Sequence, residues 1–410
     1  MTEVYQFIIE NMPRSVHYNP EDVDNLYGLP YPYTVPSPDE MFREMYYWDT
    51  YFTNVGLIAA GNVEQAKYNT DNVRHMIHRF GYMLNANRTH FSSSQPPYYF
   101  KMVEDVYAVL PNDAWLSDSY DALTKEYQFW MTKRIAPNGL NVYGPDREMD
   151  EDYVERRYKY FASRFAGFRT DDFELKKAAA YTINSLCEGG WDCSSRFEIE
   201  GHHYNPVDLN GLLYGLEKTM ERFSKILNRG EESLWADRAA ARKDKMDRLL
   251  FNKQLGIYLD WNFVKEKHSP VISIMSFVPL MVGMQCPHEQ AFALLRDKLL
   301  MPYGVGCTIP GKYTFELQWQ YPNVWAPPQY IGYTACKMFG YEELALEIAR
   351  RYTNLIETNF AATGNLWEKY NGNTAEVVNE EYDAPPMLGW TAGMYLFFAH
   401  LLGKNERACV

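Results

Sequence analysis

Helical periodicity governs this chain. Apolar side chains three and four residues apart line one face of a helix, whereas a half-buried strand needs them at every second position. Between Asn62 and Leu84 the apolar groups Val73, Met76, Ile77 and Phe80 fall on one such face. Residues 171–189 open on Asp171 and Asp172 and close on Gly189, the charge and glycine pattern that suits the two ends of a helix. Residues 210–227, 233–251, 287–300, 341–360 and 386–402 repeat the pattern. Strand alternation is scarce, and "GIYLDWNF" (Gly256 to Phe263) is its best short candidate. About a dozen helices with no linker between them, and no strict repeat, disfavour a solenoid built on a fixed motif. The pattern predicts an all-α fold, a closed toroid of helical hairpins with function in the loops at one end. One domain is expected over residues 19–410, preceded by a short arm at 1–18.

Composition then excludes several classes. The 410 residues are ample for a large core. The formal net charge is -13, and no Lys/Arg run forms a stripe, which argues against a nucleic-acid partner. No apolar run of about 18 residues is present, so no membrane span is predicted. The opening residues lack a basic stretch followed by an apolar one and a cleavage site, so a cytoplasmic protein is expected. The six cysteines (Cys187, Cys193, Cys286, Cys307, Cys336 and Cys409) form no C-x-x-C pair and no zinc spacing with His. They read as reduced packing residues, with no metal or cofactor implied. Oligomeric state is not legible. Aromatic content is high, at 16% with 33 Tyr and 10 Trp. Aromatic faces stack on the C–H faces of sugar rings, although a Tyr-rich core would have the same composition.

The chemistry concentrates between the helices. "EGGWDCSSRF" (Glu188 to Phe197) sets Trp191 and Asp192 after two glycines. Asp192 could cap the next helix, or the glycines could let the backbone approach a ligand that Trp191 and Asp192 face. Four further stretches mix aromatics with carboxylates and amides, and read as loops. "PDEMFREMYYWDTYFTNVGL" (Pro38 to Leu57) holds Arg43, Glu44 and Asp49, and "NANRTHFSSSQPPYYF" (Asn85 to Phe100) holds amides, hydroxyls and His90. "ELQWQYPNVWAPPQY" (Glu316 to Tyr330) has two tryptophans, and "NLWEKYNGN" with "NEEYDAPPMLGWTAG" brings Glu368, Glu381 and Trp390.

These stretches resemble the trehalase family. Phe42 through Tyr51 is similar to its P-G-G-R-F-x-E-x-Y-x-W-D-x-Y signature, and "QWQYPNVWAP" to Q-W-D-x-P-x-x-W-x-P. "GGWDCSSRF" resembles S-G-W-D-x-S-S-R-W, "WEKYN" resembles E-K-Y-D, and "NANRTHFSSSQPP" resembles N-G-N-R-S-Y-Y-L-S-R-S-Q-P-P. The matches keep the family's order from about Met41 to Gly393. The resemblance implies an (α/α)6 toroid and an inverting α-glycosidase without cofactor, acting on a small carbohydrate. By position, Asp192 matches the general acid, kept protonated by neighbours such as Trp191, and Glu368 matches the general base, with Glu381 its competitor. Phe42, Trp48, Asp49, Asn85, Gln95, Trp325 and Trp390 match the glucose subsite, joined by Trp191, Arg196 and Glu381.

The departures cluster on arginines. Met41 and Ser93 stand where the family has Arg, Met149 does so in a looser match, and Gln320 replaces an Asp. An Arg is a planar multi-donor fork that Met or Ser cannot replace. The family's arginines bind substrate hydroxyls on the leaving-group side, so a changed leaving-group subsite is expected, with Arg43, Arg88, Arg147 or Lys369 as possible compensators. A hydrolase of glucosylglycerate, mannosylglycerate or oligosaccharide α-glycosides is the second reading. A sugar-binding protein without catalysis is the third, disfavoured by the survival of both carboxylates.

Overall fold

The computed structural model describes residues 1–38, 42–89, 93–144, 149–311, 315, 317–379 and 385–405. Among these the chain forms fourteen α-helices joined by loops and short strand pairs. In order they are α1 (Glu3–Asn11), α2 (Tyr47–Ala59), α3 (Val63–Phe80), α4 (Tyr99–Val109), α5 (Asp113–Lys133), α6 (Glu151–Arg164) and α7 (Phe173–Glu188). They continue as α8 (Val207–Leu227), α9 (Glu232–Leu249), α10 (Val278–Met281), α11 (Glu289–Leu294), α12 (Ala326–Met338), α13 (Glu342–Thr363) and α14 (Trp390–Leu401).

Six helices close a ring: α2 packs on α4, α4 on α8, α8 on α10, α10 on α12, α12 on α14, and α14 back on α2. Outside it, α3 lies on α2 and α4, α5 on α4 and α8, α9 on α8, and α13 on α12 and α14. Helix α11 joins the outer layer through Phe292, which stacks on Tyr341 with ring centres 4.0 Å apart. This is the (α/α)6 toroid. The ring closes tightly where α2 meets α14, because a Cβ on Gly56 would lie 2.3 Å from the Cα of Gly393. Residues 1–18, expected as an arm, supply the remaining outer helix: α1 packs on α13 and α14. Helices α6 and α7 pack on one another as an additional hairpin.

The periods legible in the sequence belong to outer helices (α3, α9, α11 and α13), to inner helices α8 and α14, and to α7. Helix α3 is capped by the Asn62 side chain, which accepts from the Gln65 N–H, and ends on Gly81 at φ 87°. Inner helices bury nearly every side. From Thr50 to Leu57 every residue of α2 is buried, so no polar face marks its period. The expected loop over Pro38 to Leu57 is therefore helical from Tyr47 on. "GIYLDWNF" contains two two-residue strands, Ile257–Tyr258 and Trp261–Asn262, in separate small sheets.

Candidate active site

Helix α7 leads straight into the Asp192 loop, and its last residue is the anchor. Glu188 is fully buried and accepts from Arg134 Nε and Nη2 at 2.7 and 2.8 Å. It also accepts from the backbone N–H groups of Ser94 and Gly144 at 2.9 and 2.8 Å. One carboxylate thus ties together the ends of α5 and α7 and the segment that carries Gln95. Gly190 follows at φ 73°, and a Cβ there would lie 2.7 Å from the Trp48 indole. Glycine is needed for both reasons, the left-handed backbone and the close approach.

The rest of the loop is held by charge. Arg196 is fully buried; its Nε donates to Asp260 at 2.7 Å, and its Nη2 donates to Asp260 and Asp208. Its expected place at the substrate is corrected by this geometry. The guanidinium braces the loop from behind, pairing carboxylates at the start of α8 and on the nearby strand turn. The loop also meets the Trp319 segment, where the Trp319 N–H donates to the Cys193 carbonyl at 3.2 Å. Gln320, at the family's Asp position, accepts from the Ser195 hydroxyl at 2.9 Å.

Glu368 comes from the opposite direction. Asn323–Val324 pairs antiparallel with Tyr370–Asn371, so the strand before Trp325 and the strand after Glu368 run side by side. The Thr391 hydroxyl donates to the Trp367 carbonyl at 2.9 Å, which brings the start of α14 to the same place. Lys369, buried beside it, donates to Gln318 Oε1 at 2.9 Å and lies 5.2 Å over the Trp325 ring. Its ammonium stands 3.8 Å from Glu368 Oε2.

These elements enclose a cavity of about 420 Å³, within the ~300–1,000 Å³ typical of small-molecule sites. Asp192, Glu368, Asp49, Phe42, Trp48, Gln95, Trp325 and Trp390 all line it. Its wall is a nest of indoles. Trp319 stacks on Trp325 with centres 3.9 Å apart, and Trp390 stands edge-on to Trp325 and Trp48 at 5.7 and 5.6 Å. The Trp390 indole N–H is buried and has no hydrogen-bond partner among the described residues. Burial foremost, then the charges of Glu368 and Asp192, pushes the half-buried Asp49 carboxyl up to about 8.

Besides Arg196, two expected residues among those described lie elsewhere. Asn85 takes part through its backbone, accepting at its carbonyl from the Tyr47 N–H, and is not part of the cavity wall. Trp191 is buried behind the wall, stacked on Trp319 with centres 5.2 Å apart. Glu381 lies outside the described residues, as do His90, Met41, Arg147 and Cys409. Of the compensators weighed for the missing arginines, Arg43 lines a separate cavity, and Arg88 pairs with Glu44 at 3.4 Å. Ser93 and Met149 do not line the site, and Met149 packs with Val154 and Ala180. The described cysteines are free thiols. No three His, Cys, Asp or Glu among the described residues are clustered to hold a metal.

The cavity also has walls that the sequence reading did not single out. Tyr46, Gln318 and Trp319 fall inside the quoted stretches, so their signal was aromatic and amide clustering. Tyr160 and Arg164 come from α6, whose charged, tyrosine-rich sequence gave no sign of a site.

A helical toroid whose loop end holds carboxyls in a tryptophan-walled pocket defines a class, the glycoside hydrolases built on this ring. Within it, the trehalase family model matches residues 3–403, and the chain belongs to that family. The chain is thus a glycoside hydrolase of trehalase-like type. Its fold is similar to that of neutral trehalase from Saccharomyces cerevisiae, with a TM-score of 0.73 and 24% identity over 94% of this chain and 76% of that one. A mannosylglycerate hydrolase from Thermus thermophilus, solved with glucose, aligns at TM-score 0.67 and 14% identity over 97% of this chain and 100% of its own. A rhamnosidase from Klebsiella oxytoca aligns at TM-score 0.54 and 11% identity, covering 98% of this chain and 63% of that one. At these identities the structural likeness concerns the fold.

Proposed function

We propose that this protein hydrolyses the α-glucosidic bond of a small α-glucoside with inversion, using Asp192 as general acid and Glu368 as general base. The observation that carries the reading is the convergence of these two carboxyls, from loops far apart in sequence, on one indole-walled cavity. In the reaction the Asp192 proton passes to the glycosidic oxygen as its bond to the anomeric carbon breaks. Glu368 takes a proton from the water that bonds to that carbon from the opposite face, so the product has the inverted configuration. The two carboxyls then exchange protons with solvent to reset. The Asp49 carboxyl and the unpartnered Trp390 N–H are polar partners for glucose hydroxyls, and the indole faces suit the ring's C–H groups.

Trehalose is a poor substrate in this reading. Ser93 and Met149 stand where resemblance puts leaving-group arginines and do not themselves line the cavity, and a hydroxyl left unpaired in a closed site costs about 1–3 kcal/mol. A cytoplasmic setting belongs to the same proposal; no helix among the described residues is long and apolar enough to cross a membrane.

The experiment is a panel of α-linked disaccharides and glucosylglycerate, with proton NMR of the first-formed glucose. β-Glucose should appear first, and Asp192→Asn and Glu368→Gln should each lower kcat by at least about a hundredfold while the protein stays folded. α-Glucose appearing first, or a mild Glu368→Gln, overturns the assignment of the base. Trehalose as the best substrate overturns the changed subsite.

A further inference from the structure

The additional hairpin of α6 and α7 gives the cavity a wall that the twelve helices of the toroid do not supply. Tyr160 and Arg164 lie four residues apart on α6, on one face of its last turn, and both line the cavity. The guanidinium carbon of Arg164 sits 5.4 Å from the centre of the Tyr160 ring. Among the described residues, Arg164 is the one cationic side chain lining this space.

The side of the cavity follows from its neighbours. Helix α6 packs along α7, which leads into the Asp192 loop, and Arg157 of α6 donates to Cys187 Sγ near the end of α7 at 3.4 Å, so α6 lies on the Asp192 side. A general acid must stand beside the glycosidic oxygen, so the leaving group lies on the Asp192 side, where α6 is.

We infer that Tyr160 and Arg164 form the leaving-group subsite, and that Arg164 selects leaving groups presenting two adjacent oxygen acceptors, as a vicinal diol or a carboxylate does. The inference rests on the proposed acid role of Asp192. A guanidinium offers parallel donors in one plane, which match such a pair and nothing smaller. A single fork from a different element thus replaces only in part the arginines that resemblance would put at positions 41, 93 and 149. Tyr160, with a ring face and a phenolic hydroxyl, adds a stacking surface and one more donor beside it.

The test compares leaving groups on the same glucose. kcat/KM is measured for wild type and Arg164→Gln on the preferred α-glucoside from the panel and on α-glucosyl fluoride, whose leaving fluoride has no acceptor pair. The ratio of the two values should fall at least about tenfold in Arg164→Gln, because a site built to pair polar groups discriminates strongly when the pairing is lost. An equal loss on both substrates means that Arg164 acts on folding or on the glucose side, and overturns the inference. Arg164→Lys separates the two acceptor types: a point charge should keep more activity on a carboxylate-bearing leaving group than on a diol-bearing one. Wild type inactive on both substrates would sink the hydrolase reading itself, a result distinct from an unchanged ratio.

Discussion

Gly190→Ala tests how the acid loop is held. The new Cβ would meet Trp48 Cε2 at 2.7 Å, Cζ2 at 2.8 Å and Nε1 at 3.1 Å, against ordinary carbon contacts of roughly 3.5–4.0 Å. Trp48 is 2% exposed and packed edge-on against Phe52 and Trp390, so the indole has little room to yield. The loop must give instead, by close to the overlap of about 1 Å. Overpacking of this kind costs about 1–3 kcal/mol. The left-handed backbone at φ 73° adds about 1–2 kcal/mol for any L side chain. Asp192 lies two residues further on, and a shift of about 1 Å at a reacting group costs on the order of 10²-fold in rate. The assay is kcat/KM on the best α-glucoside together with a thermal melt; both should fall. Gly189→Ala is the control: its φ is -77° and its Cβ would meet only the Tyr143 ring edge and a helical carbonyl at 3.1–3.2 Å, so its effect should be much smaller. Adding Trp48→Phe to Gly190→Ala should recover part of the lost melting temperature, since the atoms in conflict are then gone. Wild-type melting and kinetics in Gly190→Ala would refute the idea that the loop is seated on Trp48.

Two further perturbations follow from the buried charges. The Asp49 carboxyl is raised from 3.8 to about 8 by burial and by Glu368 and Asp192, so the folded state holds its proton more tightly than the unfolded chain. Its contribution to stability is full below about 4 and lost as pH rises through about 8. The melting temperature of Asp49→Asn relative to wild type should therefore climb between pH 5 and pH 9, and a flat difference would sink the reasoning. Glu188→Gln leaves Arg134 as a buried charge without its carboxylate, a change that costs about 3–5 kcal/mol. The urea midpoint should drop accordingly, with kcat falling as the Ser94 and Gly144 segments slip; an unchanged midpoint would mean that Glu188 anchors nothing.

Sequence and structure divide the information along a physical line. Local patterns record what one segment needs for itself. The one-sided face of α3 was legible because an outer helix meets water on one side and the core on the other, although the periodic run continued to Leu84 while the helix stops before Gly81. The order of the polar–aromatic stretches carried the resemblance, and with it the ring, Asp192 and Glu368. Helix α2 escaped because its buried residues mix aromatic, polar and aliphatic side chains without an apolar period, so it read as a loop. Arg196 was misplaced for a related reason: a motif states that an arginine is required, but only packing reveals that Asp208 and Asp260 claim it. The same holds in reverse for Arg164, a residue in an ordinary charged helix until α6 folds over the cavity. The sequence by itself determined many of the helices, the class of ring and the identity of the two candidate carboxyls. Only the tertiary structure decided which side chains share the cavity with them, because that depends on distances between segments far apart in the chain, and no local pattern records those.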